Sequence, residues 1–361
     1  MAFALNTYPI TYRAQFTGGK WSDEYIEKPH KTQEEEAAMS ADERARLENS
    51  RNHYDDMPLV NYTSQYGLAC FEGLKAFPQK NDGLAIFRPD KNGERFAASM
   101  IGLCMSPFPK EDFVKSCLET VRRNASLGFK PHYKSEWEKD SFMYADAVYI
   151  RPFTIAEGGI GVNLSREPYV MVINTPVSAY FSSGSSDAIV SDKVRAMPNG
   201  TGWIKACSNY VISALAKSEA LKAGYMECIF LDGTHRKYIE EGSSCNIFFY
   251  LKSGELVTPD LGDTILPGIT RMSIIELARD KGVKVTERKI SIDEAMEETK
   301  ECFVSGTAAG ATPLSSISYQ GKKAVFNDGK TGEFTTDIRD TLKGIQYGKL
   351  PDTKGWMVPV I

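Results

Sequence analysis

Histidine is scarce in this chain, four among 361 residues, and none of the seven cysteines forms a CxxC pair or keeps a metal-ligand spacing with those histidines. A zinc ribbon and a thiol-relay motif are therefore excluded. No stretch is apolar for long enough to cross a bilayer, and the opening MAFALNTYPITYRAQF lacks a basic region followed by a sustained apolar run, so neither a membrane helix nor a secretory leader is expected. Excess positive charge is missing too. Lys and Arg number 43 against 47 Asp and Glu, a net charge of −4, which argues against the concentrated positive surface that nucleic acid or an anionic membrane requires. The odd number and scatter of the cysteines predict free thiols in a reducing compartment, so a cytoplasmic protein with small-molecule or protein partners is expected.

What is present is a soluble globular composition at a length that favours two domains. The segment 32–51 is charge-dense and carries two capping-box patterns, Thr32 to Glu35 and Ser40 to Glu43, which predict a solvated helical excursion. LAIFRP (84–89), YIRPF and YVMVINT (169–175) read as strands, and KEDFVKSCLETVRRNA (110–125) reads as a helix. Around PVSAYFSSGSSD (176–187) the composition turns to Ser, Gly and Pro, the signature of a linker. Beyond it strands and helices alternate: AIVSDKVRA, a helix from Asn209, ECIFLDG, CNIFFYL, a helix over 269–281, KVTERKI and ECFVSG. The expectation is residues 1–175 as a smaller α+β domain, 176–187 as linker and 188–361 as a larger domain, α/β (α+β) in class.

Four features of the second half surround one lysine. Lys205 lies between Trp203-Ile204 and a small-residue run, just before the helix that begins near Tyr210. Alone, it is compatible with a lysine laying its stem over apolar surface. Glu240 and Glu241 precede a strand too apolar for a surface element, where a carboxylate needs a cation or a donor unless it sits in a wet turn. LPGIT (266–270) opens a helix whose free amides suit a phosphate, and SGTAAG (305–310) would let backbone amides and Thr307 approach an anion closely. Either could equally be capping or close packing. Together these are the groups that pyridoxal phosphate needs.

The segments YGLACFEGLKAF, GERFAAS, YIRP, PVSAYF, IKACSNY, EEGSSCNIF, LPGIT and SGTAA follow one another in an order that resembles the class IV aminotransferases of fold type IV (D-amino acid aminotransferase-like), and within them the branched-chain amino acid aminotransferases. The likeness runs from about Tyr66 to Pro313. It implies a two-domain fold with pyridoxal 5'-phosphate held by the larger domain, and Lys205 as the Schiff-base lysine and proton shuttle. Glu241, five positions before Asn246, matches the partner of the pyridine nitrogen, and Tyr210 the partner of the phenolate oxygen. Arg95, the amides of Ile269 and Thr270, and Thr307 match the phosphate ligands. Phe71, Tyr149 and Tyr180 resemble an aromatic wall around an aliphatic side chain, although each could be an ordinary core or interface aromatic. Tyr66 and the backbone of Ala308 resemble the α-carboxylate site, with Thr307 beside it. Arg151 resembles the arginine that receives the distal carboxylate of glutamate.

The implied activity passes the amino group between leucine, isoleucine or valine and 2-oxoglutarate, by a ping-pong mechanism. The resemblance also implies a homodimer with the active site between the domains and Tyr66 reaching in from the neighbouring copy. The rivals within the fold are a D-amino acid transaminase and an aminodeoxychorismate lyase, and outside it a silent binding module. Cys207 and Ser208 stand where relatives commonly carry a Gly pair, and Trp203 and Ile204 where they carry small residues, which bears on substrate range.

Overall fold

The computed structural model describes residues 6–178 and 186–361. Two compact units share the chain, and the division is not a single cut: residues 6–178, 205–208 and 345–361 form the first, and residues 186–204 and 209–344 the second. Most of the Ser/Gly stretch, residues 179–185, lies outside the described residues. The mixture of helix and sheet is that expected from the sequence.

The first unit is built on an antiparallel sheet of β1 (Ile10–Thr17), β2 (Lys20–Glu27), β3 (Leu74–Pro78), β4 (Leu84–Phe87), β5 (Ala147–Ile155), β6 (Tyr169–Val177) and the late strand Met357–Pro359. That last strand pairs with β4, which is why the C-terminal residues belong here and not with the second half. The helices are α1 (Gln33–Ala38), α2 (Ala41–Arg51), α3 (Tyr62–Tyr66), α4 (Pro89–Gly102) and α5 (Lys110–Ser126). Phe113, Cys117 and Val121 recur at helical spacing on α5 and pack with Phe96 and Met100 of α4 against Leu74, Ile86, Ile150 and Val172 of the sheet. Asn124 closes the packing chemically: its side chain both donates to the Ile10 carbonyl and accepts from the Ile10 amide, at 3.0 and 2.8 Å.

Both expected capping boxes form, at Thr32 on α1 and Ser40 on α2. The excursion is not wholly solvated, however. Arg51 is fully buried and Glu36 nearly so, and they pair with each other. The remaining Arg51 donors reach the carbonyls of Pro29 and Thr7, each at 3.0 Å, so a single guanidinium satisfies chain segments that have no ladder partner at those positions.

The second unit contains β7 (Asp187–Val190), β8 (Glu227–Leu231), β9 (Ile239–Gly242), β10 (Asn246–Leu251), β11 (Leu256–Thr258), β12 (Val285–Glu287), β13 (Thr299–Gly306), β14 (Gly310–Leu314), β15 (Ser316–Tyr319) and β16 (Lys322–Val325). They form two five-stranded sheets, ordered β16-β15-β7-β8-β9 and β12-β11-β10-β13-β14. Residues such as Ile229, Ile247, Phe249, Val304 and Ile317 from both sheets share one core. The connecting helices are α6 (Asn209–Lys222), α7 (Ile269–Asp280) and α8 (Ile292–Glu298). Among the described residues no helix is long and apolar enough to cross a membrane.

Because Arg51 is sealed from water with its carboxylate partner, Arg51→Ala should destabilise the protein by about 3–5 kcal/mol. The measurement is the urea midpoint. Arg46→Ala, on the exposed side of the same helix, should stay within about 0.5 kcal/mol of the parent, and equal effects from the two variants would refute the buried-pair account.

Candidate active site

In the first unit, residues 205–208 lie alongside the stretch that follows α3. The Phe71 amide donates to the Lys205 carbonyl at 3.1 Å, the Cys207 amide to the Ala69 carbonyl at 2.8 Å, and Cys70 and Ala206 form an antiparallel bridge. The Lys205 amide donates to the Ser99 hydroxyl of α4 at 3.1 Å. With its backbone held on both sides, Lys205 places its ammonium 4.8 Å from the centre of the Phe71 ring.

Next to that ring is a carboxylate that the sequence reading passed over. Glu72 is completely buried; both its oxygens accept from Arg95, at 2.7 and 2.9 Å, and one also accepts from the Asn92 amide group at 2.7 Å. Burial alone would raise the Glu72 carboxyl, but the charge and hydrogen bonds of Arg95, the charge of Lys205 and the Asn92 contact outweigh it and hold the group below the ordinary range. Glu72 thus keeps the Arg95 guanidinium in one orientation. An acidic residue inside an apolar, aromatic run was the signal that could have found it.

Arg151 also lies against Phe71. Its guanidinium sits 4.6 Å from the Phe71 centroid and 5.2 Å from that of Tyr149, and donates to the Tyr149 hydroxyl at 2.9 Å. Arg151 Nε is buried with no acceptor among the described residues. Gly73 makes room for this arrangement, since a Cβ there would collide with the Tyr149 hydroxyl. Lys205, Phe71, Tyr149, Arg151 and Arg95 are therefore brought together within one unit. Tyr66 is directed elsewhere: its ring is 44% exposed and its hydroxyl accepts from the Gly161 amide at 2.8 Å. Cys207, one of the departures from the family pattern, is half-buried, and burial pushes its thiol up despite the charges of Arg151 and Lys205. Tyr180 lies outside the described residues.

The second unit holds the other group. Glu241, on β9, is 4% exposed and paired with Arg195; the Asn246 side chain donates to it at 3.3 Å and the Leu266 amide at 3.4 Å. Arg195 is fixed in turn by the carbonyls of Gly202 and Thr264, at 2.8 and 2.9 Å. Asn246 also donates to the Leu266 carbonyl at 2.9 Å, so the turn leading into α7 is tied to the same carboxylate. Gly268 caps α7 without a side-chain hydrogen bond, no acidic residue occupies the first turn, and a Cβ at Gly268 would collide with Asn246. The first residues of α7, Ile269 and Thr270, are both buried. Tyr210 is the second residue of α6, and Thr307 and Ala308 lie in the three-residue connection between β13 and β14, where Gly306 faces Gly310.

A buried carboxylate tied to a helix start that has no side-chain cap and no acidic residue in its first turn suits a phosphate-bearing heterocycle with a protonatable ring nitrogen. The residues present thus fit pyridoxal phosphate.

Three comparisons bear on this site. The family model for amino-transferase class IV matches residues 69–317. A relative described as probable branched-chain-amino-acid aminotransferase, from Staphylococcus aureus (strain MRSA252), is 40% identical over 306 residues, 82% of this chain and 81% of its own. A relative from Bacillus subtilis (strain 168), branched-chain-amino-acid aminotransferase 2, is 38% identical, with 82% and 80% covered. Among solved structures, a T.th. branched-chain amino acid aminotransferase with pyridoxamine 5'-phosphate superposes with a TM-score of 0.72 at 30% identity, covering 85% of this chain and 94% of that one.

The Glu72 geometry has a pH signature. A carboxyl held below its unfolded value, about 4.3 for glutamate, contributes stability that is fully present above that pH and is lost as pH falls through the folded value. Glu72→Gln should therefore be less stable than the parent at neutral pH and lose less on acidification below about pH 4. Urea midpoints across that range test it; parallel acid limbs for parent and variant would mean that Glu72 is not ionised in the fold.

Proposed function

The chain belongs to the class IV aminotransferases, and from that premise we infer that it is a pyridoxal-phosphate-dependent transaminase of branched-chain amino acids. It moves the amino group of leucine, isoleucine or valine to 2-oxoglutarate, forming glutamate and the branched 2-oxo acid, in two half-reactions at one site. The observation that carries this reading is the buried Glu241 carboxylate joined through Asn246 and Leu266 to the uncapped start of α7.

Pyridoxal phosphate, when bound, supplies an aldehyde that takes up the amino group and a ring that accepts the electron pair left when the α-proton departs. Every other part falls to the chain. Lys205 would be the covalent anchor, and its Nζ would take the proton from the substrate α-carbon. Glu241 keeps the ring nitrogen protonated, and Tyr210 hydrogen-bonds the ring oxygen. Arg95, the amides of Ile269 and Thr270, and the Thr307 hydroxyl hold the phosphate, with Glu72 orienting Arg95. Phe71 and Tyr149 line an aliphatic side chain, and Arg151 receives the distal carboxylate of glutamate or 2-oxoglutarate. The support for that last role is its buried Nε and its seat on two aromatic faces.

We also propose a homodimer. Leu59, Ile160 and Val162 are 86, 78 and 93% exposed and lie near the bridge that joins Asn61 to Gly158, an apolar area that a second copy would cover. Tyr66, bonded to Gly161 at the same area, would then serve with the Ala308 backbone and Thr307 as the α-carboxylate site of the neighbouring copy. The seven free thiols fit a cytoplasmic location.

Lys205→Ala should abolish transamination while leaving the fold intact, because anchor and proton carrier are removed together. Borohydride treatment of the parent should fix the cofactor onto Lys205. Near-normal turnover in the variant, or labelling of a different lysine, would defeat the assignment.

Arg151→Met tests the dual-substrate pocket. A hydrogen bond to a charged group contributes about 1.5–3 kcal/mol, so kcat/KM for glutamate and 2-oxoglutarate should fall about ten- to a hundredfold. Leucine should change much less, since methionine keeps the wall apolar. The two half-reactions are followed separately by cofactor absorbance; equal losses would show that Arg151 serves the α-carboxylate or the structure instead.

A further inference from the structure

Glu240 and Glu241 are successive residues of β9, so their side chains leave the strand on opposite faces. Glu241 meets Arg195 and Asn246. Glu240 instead lines a cavity of about 240 Å³ within the second unit, which the proposed reaction does not use. The residue is 7% exposed, and its Oε2 is buried with no hydrogen-bond partner among the described residues. A carboxylate oxygen removed from water in that way is strongly destabilised until a donor meets it.

The other carboxyls around the cavity are differently placed. Asp232 already accepts from the amides of His235, Lys237 and Tyr238, and Asp263 from the amide of Asn199, while Asp260 is exposed. Lys289 is exposed and rests 5.5 Å from the Tyr238 ring centre. Among the lining carboxylates, Glu240 is the one with a buried oxygen, Oε2, that meets no donor among the described residues, while the Thr264 hydroxyl acts on the same carboxyl. The remaining wall includes Ile239, Pro259, Leu261 and Ile265, so the occupant needs an aliphatic part as well as a charged donor. Among the described residues no group of three or more His, Cys, Asp or Glu is placed to hold a metal ion.

We propose that this cavity binds a small alkylammonium compound, with the ammonium on Glu240 Oε2 and the aliphatic part against Ile239, Pro259 and Ile265. Burial pushes the Glu240 carboxyl up to about 7, with Glu241 and Asp232 adding to the rise and Thr264 and Arg195 opposing it. An arriving ammonium favours the ionised carboxylate. Proton and ligand therefore compete, and affinity should rise with pH through neutrality. Asp232, His235, Tyr238, Asp260, Asp263 and Lys289 are the other charged or titratable side chains around the cavity.

The test titrates isobutylammonium chloride into the cofactor-loaded enzyme by calorimetry, while the visible spectrum of the cofactor is recorded. One site per chain is expected at pH 8, about tenfold weaker at pH 6, with the spectrum unchanged. Glu240→Gln should weaken binding at least tenfold. Gly262→Leu, at a lining position where an added Cβ meets open space, should do the same by filling the cavity, and it serves if the Glu240 variant does not fold. Unchanged binding in both variants, no binding to the parent, or a spectral change showing that the amine reacts with the cofactor would each overturn the proposal. Equal affinity for potassium ion or for isobutanol would overturn the ligand class.

Discussion

A carboxylate sealed from water is tolerated only when a cation meets it, and in the first unit that condition links Glu72 to Arg95. Glu72 lies in the stretch before β3, and Arg95 and Asn92 lie on α4, so satisfying one buried charge fixes a helix against the strand-like segment beside it. Ser99, one turn further along α4, receives the Lys205 amide and donates to the Arg95 carbonyl at 2.9 Å. The orientation of the guanidinium and the seating of the lysine thus descend from a single helix, and the candidate residues of the first unit take their placement from that ion pair.

The second unit repeats the logic with different parts. Glu241 and Arg195 are both nearly inaccessible, and Arg195 spends its other bonds on carbonyls of two separate loops. Two adjacent glutamates on β9 meet opposite circumstances for a purely geometric reason. A strand alternates its faces, so one residue pairs directly with a guanidinium while an oxygen of its neighbour meets no donor among the described residues.

Much of this was legible in the chain. The helix starting at Asn209, the helix starting at Ile269 and the capping boxes at Thr32 and Ser40 announced themselves by local chemistry, since periodicity and caps depend on a few consecutive residues. The ordered motifs pointed to Lys205, Arg95 and Glu241 because reactive groups keep their spacing. The partners were harder to find: Glu72, Asn92 and Arg195 act through distant contacts that leave no local periodicity. The burial of Arg51 and Glu36 escaped for the same reason, as a charge-dense helix looks solvated until its one inward-facing pair is seen. Glu240 resembled a turn carboxylate, and only the surrounding fold shows that water is kept from it.

The strand Met357–Pro359 lies against β4, some 270 positions earlier, and the Val360 amide donates to the Leu84 carbonyl. During synthesis the sheet of the first unit therefore stays open at that edge until residues 357–359 have left the ribosome, while the intervening residues of the second unit can already condense. The protein is then made from the middle as well as from the beginning, and β4 must wait, half-paired, for its last neighbour. A nascent chain in that interval presents a strand edge to anything nearby.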